Sequence, residues 1–209
     1  MDKHLEYLKE NFDIIGNEKL LPEIKFKLPN DKWNIGVIYG HSGSGKTTLL
    51  KKLGYQDNSD IVFDANSVIS NIDNDPKRAV ELLNAVGFNS IPVWINKFNY
   101  LSNGEKYRAQ LAKLLSIKKE VYLVDEYTSV VDRNVAISMS NALSRYVIKN
   151  NLKIILSSCH SDIIEWLQPD WIFDTNNMKF KKKTINQKYN LKYLDVEMKL
   201  GRISKSIII

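Results

Sequence analysis

The chain has 209 residues, 44% of them hydrophobic and 26% charged, a composition typical of a soluble globular domain with one substantial core. No apolar run approaches the roughly 18 residues of a membrane helix, and the mixed-charge start is unlike a secretory signal. The single Cys159 excludes an internal disulfide or a cysteine-based zinc cluster. We therefore expect a cytoplasmic protein without membrane insertion. The net charge of +6 comes from residues 175–209, which carry nine Lys or Arg and two acidic residues.

The first predicted elements are a strand, a glycine-rich loop and a helix. Ile35–Tyr39 is a short apolar run typical of a buried parallel strand, and Lys46–Leu53 is predicted to be helical. The residues between them fit the phosphate-loop pattern, whose glycines let backbone N–H groups converge on phosphate oxygens. We predict that Lys46 reaches the β- and γ-phosphates of a nucleotide and that Thr47 binds magnesium. The predicted nucleotide-binding residues of the loop are Gly40, His41, Ser42, Gly43, Ser44, Gly45, Lys46, Thr47 and Thr48.

A mostly helical insertion, at about residues 54–116, is predicted to interrupt the alternation of strands and helices. Asp75 and Pro76 predict the start of a helix, and Gly87 predicts the end of that helical segment. Two sets of apolar residues recur at helical spacing. They are Ala79, Leu82, Leu83 and Val86 in the first helix and Tyr107, Leu111, Leu114 and Leu115 in the second.

Strands and helices alternate again after the insertion. Val121–Val124 and Ile154–Leu156 are predicted to be buried strands, and Ser161 is expected to cap a brief helix that stops before Pro169. The helix between the two strands is lined by Met139, Leu143, Tyr146 and Val147. The alternation predicts an α/β fold, a mainly parallel sheet covered by helices on both faces.

The C-terminal residues 175–209 are interpreted as a basic extension of the domain formed by residues 1–174. Residues 194–200 alternate between apolar and charged side chains, the period of a half-buried strand. The lysine-rich run Lys179–Lys183 could meet a nucleic-acid backbone, an acidic partner or only solvent.

Two carboxylates follow the strand that ends at Val124. Ligands bind at the carboxyl ends of strands in open α/β sheets, so Asp125 suits magnesium, which prefers oxygen ligands. Glu126 is then placed to orient or deprotonate an attacking water. Two acidic residues after a strand can also simply begin a loop.

The stretch from Leu101 to Glu105 reads Leu-Ser-Asn-Gly-Glu and resembles the Leu-Ser-Gly-Gly-Gln signature of the ABC (ATP-binding cassette) ATPase family. The resemblance implies a P-loop NTPase of ABC type, in which Ser102 and Gly104 meet ATP held by a second subunit. The active form would be an ATP-dependent head-to-tail homodimer that hydrolyses Mg-ATP. Asp125 to Asp132 resembles the family's Walker B aspartate, catalytic glutamate and D-loop, and His160 takes the place of the switch histidine.

Two elements of the family pattern are less well matched. The Q-loop glutamine should follow a strand, yet the candidate strand Ile61–Phe63 is followed by Asp64, and Gln56 precedes it. Either Asp64 makes the magnesium contact or the element has diverged. Phe12 is the candidate for the aromatic residue that stacks on adenine.

Three segments, residues 101–112, 125–133 and 159–174, resemble more closely the soluble ABC-type ATPases fused to an acetyltransferase-like domain, many of them from phage genomes. The resemblance covers roughly residues 35–174, and the chain stops near where that second domain would begin. We therefore expect a conformational switch that acts on an unidentified partner, for which a separate acetyltransferase-like protein is one candidate. The alternatives are a nucleic-acid-associated ATP clamp and the ATP-binding subunit of a membrane transporter.

Overall fold

The computed structural model describes residues 3–11, 26–56, 61–186 and 190–193. Phe12 and the predicted strand at residues 194–200 lie outside these ranges. The described helices are α1 (Lys3–Asn11), α2 (Lys46–Lys52), α3 (Val68–Ile72), α4 (Pro76–Ala85), α5 (Ile91–Trp94), a 3-10 turn (Phe98–Tyr100), α6 (Asn103–Ser116), α7 (Arg133–Lys149) and α8 (Ile163–Leu167). The described strands are β1 (Ile35–Tyr39), β2 (Tyr122–Val124), β3 (Ile154–Ser158), β4 (Trp171–Asp174), β5 (Lys179–Asn186) and β6 (Asn190–Tyr193).

The described strands form one sheet in the order β2-β3-β1-β4-β5-β6. The pairs β2–β3, β3–β1 and β1–β4 are parallel, whereas β4–β5 and β5–β6 are antiparallel. The predicted mainly parallel sheet is thus confirmed. Among the described helices, none has the combination of length and apolar character that crossing a bilayer requires.

Alternate residues of the parallel strands build a separate hydrophobic core on each face of the sheet. Ile35 and Val37 of β1 belong to the larger core, beneath α4, α6, α7 and α8, while Ile38 belongs to the smaller one, beneath α2. Trp171 of β4 is fully buried in the smaller core. A Cβ atom on Gly36 would lie 2.0 Å from the Trp171 ring, so only glycine fits beside that indole.

The insertion is mostly helical, as predicted. Asp75 caps α4 by accepting a hydrogen bond from the Lys77 backbone N–H, and Gly87 ends the segment with a positive φ of 66°. The predicted strand Ile61–Phe63 is wrong, because residues 61–64 have no regular secondary structure. Phe63 instead stacks on Phe98 with the ring centroids 4.1 Å apart, which holds this segment against the insertion.

Other element boundaries differ slightly from the predictions. Strand β2 begins at Tyr122, one residue later than predicted, and β3 continues through Ser158, two residues further. The predicted cap at Ser161 is wrong: α8 begins after Asp162, whose side chain forms an ion pair with Arg133 instead of capping the helix. The helix ends at Leu167, before Pro169, as predicted.

The tryptophans and the Asp170 carboxylate in the segment that follows His160 have structural roles. The guanidinium of Arg133 lies 4.6 Å from the ring centroid of Trp166, which ties the start of α7 to α8. Asp170 accepts hydrogen bonds from the backbone N–H groups of Asn34 and Ile35, at 2.7 and 3.0 Å. These contacts place β4 beside β1.

The lysine-rich run lies in β5, which hydrogen-bonds to β4. Phe180, between the lysines, is directed toward the smaller core, with its ring 5.8 Å from that of Trp171. Lys182 forms an ion pair with Asp31, and Lys183 donates to the backbone carbonyl of Gln168. Part of the run therefore contacts neighbouring residues rather than only remaining solvated.

Candidate functional site

Three loops meet at the carboxyl ends of the parallel strands. The phosphate loop follows β1, Asp125 follows β2, and Cys159 and His160 follow β3. The strands end nearly level, because Tyr39 pairs with Ser158 and Val124 pairs with Leu156. Residues far apart in the chain are thereby brought to one edge, where open α/β sheets bind ligands.

The phosphate loop uses its glycines and its lysine to curl around the start of α2. Gly43 and Gly45 have φ values of 75° and 92°, a left-handed conformation that glycine adopts without strain. The Lys46 ammonium group donates to the backbone carbonyls of Gly40 and His41, at 2.8 and 2.7 Å. These bonds use two of its three donors. The loop therefore wraps around the Lys46 ammonium group at the start of α2, and its contact with phosphate stays a prediction.

The two predicted magnesium ligands lie together. The Thr47 hydroxyl donates to the Oδ2 atom of Asp125, with the oxygens 2.6 Å apart. The other carboxylate oxygen, Oδ1, accepts hydrogen bonds from the Ser157 hydroxyl and from the Glu126 N–H. A hydroxyl and a carboxylate are the hard oxygen donors that Mg²⁺ prefers. In the described residues no group of three or more His, Cys, Asp or Glu could hold a metal.

Glu126 stands on a strained backbone at the tip of β2. Its φ is 49°, a left-handed conformation that is uncommon for residues other than glycine and that clusters at functional sites. The Glu126 N–H also lies 3.2 Å from the Ser157 hydroxyl, and the Tyr127 N–H donates to the Ser157 carbonyl at 2.7 Å. Tyr127 is fully buried. Strand β3 thus holds this tight turn and leaves Glu126 exposed.

Ser157 is a residue of the site that the sequence reasoning missed. It is fully buried at the end of β3, and its hydroxyl contacts both Asp125 and the Glu126 N–H. The available signal was a serine that follows an apolar strand, which by itself does not identify a partner. His160, two residues beyond β3, is exposed, and its backbone N–H donates to the Ser158 hydroxyl at 3.0 Å.

The signature residues form a second cluster around the start of α6. Ser102 and Glu105 form a capping box: the Ser102 N–H and hydroxyl donate to the Glu105 carboxylate, and Ser102 accepts from the Glu105 N–H. These hydrogen bonds from Ser102, the backbone one foremost, lower the pKa of Glu105. The sequence contains this signal, a serine three residues before a glutamate, and the same residues also fit the nucleotide-binding signature.

The predicted D-loop packs against this second cluster. A Cβ atom on Gly104 would lie 3.4 Å from the carbonyl oxygen of Val130, an ordinary van der Waals contact, so the start of α6 lies against that loop. Asp132 caps α7 by accepting from the Val135 N–H at 3.0 Å. Ser102, Gly104 and Asp132 thus share one surface region, and their predicted contact with nucleotide stays a prediction.

Asp64, the alternative magnesium contact, is engaged by its own loop. Its carboxylate accepts hydrogen bonds from the Asn66 N–H, at 2.8 Å, and from the side-chain amides of Asn66 and Asn71. These bonds lower the pKa of Asp64. The structure gives no contact between Asp64 and the Thr47–Asp125 pair.

Comparison with known proteins agrees with this geometry. No protein-family model matches the chain. It is 27% identical to the erythromycin resistance ATP-binding protein MsrA of Staphylococcus epidermidis and 29% identical to the energy-dependent translational throttle protein EttA of Haemophilus influenzae. The matches cover 69% and 63% of this chain but only 34% and 28% of those proteins, so the chain spans about a third of their length. A third relative, the energy-coupling factor transporter ATP-binding protein EcfA of Pediococcus pentosaceus, is 24% identical, with 93% of this chain and 83% of EcfA covered.

Solved structures share the fold. The dimeric structure of the bacterial ABC transporter cassette MJ0796 matches with a TM-score of 0.57 at 16% identity, covering 70% of this chain and 83% of that one. The cbiO1 protein of Clostridium perfringens matches with a TM-score of 0.54 at 20% identity, covering 68% of this chain and 72% of that one. The chain therefore has the P-loop fold of an ABC cassette, as predicted, and the sequence relatives support the ABC ATPase family.

Proposed function

We propose that this chain binds and hydrolyses Mg-ATP and acts as an ABC-type ATPase. One observation carries the proposal: the phosphate-loop hydroxyl of Thr47 contacts Asp125, and Glu126 stands next to it on the same strand end. The sequence relatives include ABC ATP-binding proteins, which supports hydrolysis as the activity.

Each residue has a distinct part in the proposed reaction. The phosphate-loop N–H groups and Lys46 bind the β- and γ-phosphates, since a helix start and an ammonium group both favour anions. Thr47 and Asp125 would hold Mg²⁺, which neutralises charge on the phosphates. Glu126 orients a water molecule toward the γ-phosphate and accepts its proton. His160, at the end of the neighbouring strand, contacts the γ-phosphate.

Two copies of the chain form the complete site. Ser102, Gly104 and Asp132 form a cluster separate from the phosphate loop, and we place them on the nucleotide of the second copy, in a head-to-tail homodimer. The solved dimers of MJ0796, one of them bound to ADP and Pi, support this arrangement. ATP binding would close the dimer and hydrolysis would open it, which makes the protein a conformational switch.

The first experiment is the solution mass of the Glu126→Gln protein with Mg-ATP. Loss of a general base should lower hydrolysis about a hundredfold or more, so the variant should accumulate as an ATP-bound dimer. Lys46→Ala is the binding-deficient control. Ser102→Arg in the Glu126→Gln background should bind ATP but stay monomeric. Full hydrolysis by Glu126→Gln would contradict its assignment, and a dimer that survives Ser102→Arg would contradict the sandwich.

A transporter subunit is the second candidate function. EcfA, which the chain matches over most of both lengths, is a transporter ATP-binding protein. The insertion also has a cleft of about 310 Å³ whose lining includes Asp64, Phe98 and Tyr100. Tyr100 is 78% exposed and Ile95 71% exposed, so both side chains are accessible to a protein partner.

The mass experiment also separates the candidate partners. Adding a short DNA duplex to the Glu126→Gln dimer tests the ATP clamp, for which the lysines of β5 would supply the phosphate contacts. A dimer that binds the duplex, less tightly at high salt, would favour the clamp. A dimer indifferent to DNA would favour a protein partner, for which Tyr100→Ala is the test variant and an acetyltransferase-like protein one candidate.

A further inference from the structure

The turn between β4 and β5 lies directly against the first half of the phosphate loop. Thr175, the first residue of this turn, is 2% exposed. Its N–H and its hydroxyl both donate to the carbonyl oxygen of Tyr39, at 2.8 and 3.1 Å. Its Oγ1 atom lies 2.6 Å from the Ser44 Oγ atom. The turn thus contacts the residue before the loop and a residue within it.

The Thr175 hydroxyl lies within hydrogen-bond distance of two groups. A hydroxyl group has one proton to donate and can also accept, so the Ser44 hydroxyl donates to Thr175 whenever the Thr175 proton goes to the Tyr39 carbonyl. Either oxygen can be the donor of the bond between Thr175 and Ser44. In both arrangements Ser44 is anchored to a residue 131 positions away in the chain.

Asn176 adds a second anchor to the same loop. Its side-chain oxygen accepts a hydrogen bond from the His41 N–H at 2.9 Å. The Asn176 N–H in turn donates to the Asp174 carboxylate at 2.9 Å, and the Asn177 side chain donates to the other oxygen of that carboxylate. Asp174 ends β4, so the anchor is continuous with the sheet.

Gly40 leaves the space into which this turn fits. A Cβ atom on Gly40 would lie 2.0 Å from the Thr175 Oγ1 atom and 2.6 Å from the Ser44 Oγ atom. Real atoms do not approach so closely, so the turn and any larger residue at position 40 exclude each other. Gly40 is thus required by the packing of the turn as well as by any ligand.

We propose that Thr175 and Asn176 are positioning residues that hold the phosphate loop in its nucleotide-binding conformation before ATP arrives. The inference rests on the proposed function, because it concerns the same nucleotide site. A loop that is already ordered loses less conformational freedom when it binds, and this gain appears as affinity. Removing the anchors therefore weakens ATP binding more than it slows the chemical step.

The experiment compares the full-length wild-type chain with Thr175→Val, which keeps the side-chain shape but removes the hydroxyl, and with Thr175→Ser, which restores it. Asn176→Ala removes the second anchor. Ser144→Ala is the matched control, because its hydroxyl donates to the Leu167 carbonyl at 3.1 Å, outside the phosphate loop and its turn. Melting curves verify that each variant is folded.

Hydrogen exchange of the phosphate-loop peptide in the nucleotide-free proteins is the first measurement. Thr175→Val and Asn176→Ala should accelerate exchange about fivefold, whereas Thr175→Ser and Ser144→Ala should match the wild type. The fivefold change corresponds to about 1 kcal/mol, the usual net value of one hydrogen bond. Unchanged exchange in both anchor variants, or equal acceleration in Thr175→Ser, would overturn the proposal.

Mg-ATP titration and steady-state hydrolysis are the second measurement. Thr175→Val should raise Kd and KM about fivefold with little change in kcat, the pattern expected when an interaction equally strong in ground and transition states is removed. A lower kcat at unchanged KM would overturn the positioning role. If the wild type does not bind ATP, the proposed function fails, and the exchange result still decides whether the turn orders the loop.

Discussion

Ser157→Ala is the substitution whose effect follows most directly from the geometry of the site. The Ser157 hydroxyl is buried, donates to the Asp125 carboxylate and accepts from the Glu126 N–H. A hydrogen bond to a charged group contributes about 1.5 to 3 kcal/mol. The Glu126 N–H keeps its bond to Asp125 in the variant, so only the bond to the carboxylate is counted. We expect a loss of about 2 kcal/mol in the free energy of unfolding.

Thermal denaturation in the absence of nucleotide measures this loss. For a chain of this size 1 kcal/mol shifts Tm by about 2 to 4 °C, so Tm should fall by about 4 to 8 °C. Ser144→Ala, which removes a neutral bond to the Leu167 carbonyl, is the control and should lose only about 1 kcal/mol. ATP hydrolysis should also fall in Ser157→Ala and not in the control. Equal melting of the two variants, with full hydrolysis by Ser157→Ala, would refute the role of Ser157 in holding Asp125.

Two further predictions concern the signature helix and the sheet. Hydrogen bonds from Ser102 hold the pKa of Glu105 below its ordinary value, so the charged carboxylate stabilises the fold above the ordinary glutamate pKa, and this contribution is lost as the pH falls through the lowered value. Glu105→Gln should therefore lower Tm at neutral pH, and the Tm values of the variant and the wild type should converge on acidification. A difference in Tm that does not depend on pH would contradict the capping role. Gly36→Ala should lower the free energy of unfolding by about 1 to 3 kcal/mol, the usual cost of overpacking, because the new Cβ meets the Trp171 ring. Denaturant unfolding measures this loss, and the double variant with Trp171→Phe should recover part of it. Wild-type stability of Gly36→Ala would show that the ring moves freely.

The elements that the sequence predicted well are those with local signals. An apolar run followed by three glycines and a lysine gave β1, the loop and α2, because each signal depends on residues only a few positions apart. Asp75 with Pro76, and later Gly87, marked both ends of one helical segment. The wrong predictions were local as well. Ser161 has the chemistry of a cap, yet α8 begins after Asp162. The run Ile61–Phe63 is apolar like a strand, yet its Phe63 ring stacks on Phe98 of the insertion.

The sequence by itself determined that this chain has a phosphate loop, two carboxylates at a strand end and an alternating α/β order. Only the tertiary structure decided which distant residues hold them. Ser157 reaches Asp125 because β3 lies beside β2 in the sheet, and Thr175 reaches Ser44 because β4 lies beside β1. Strand order is set by the packing of the whole core and leaves no pattern within a short stretch of sequence. The residues that position the site therefore cannot be recognised from short sequence patterns, whereas the residues proposed to perform its chemistry can.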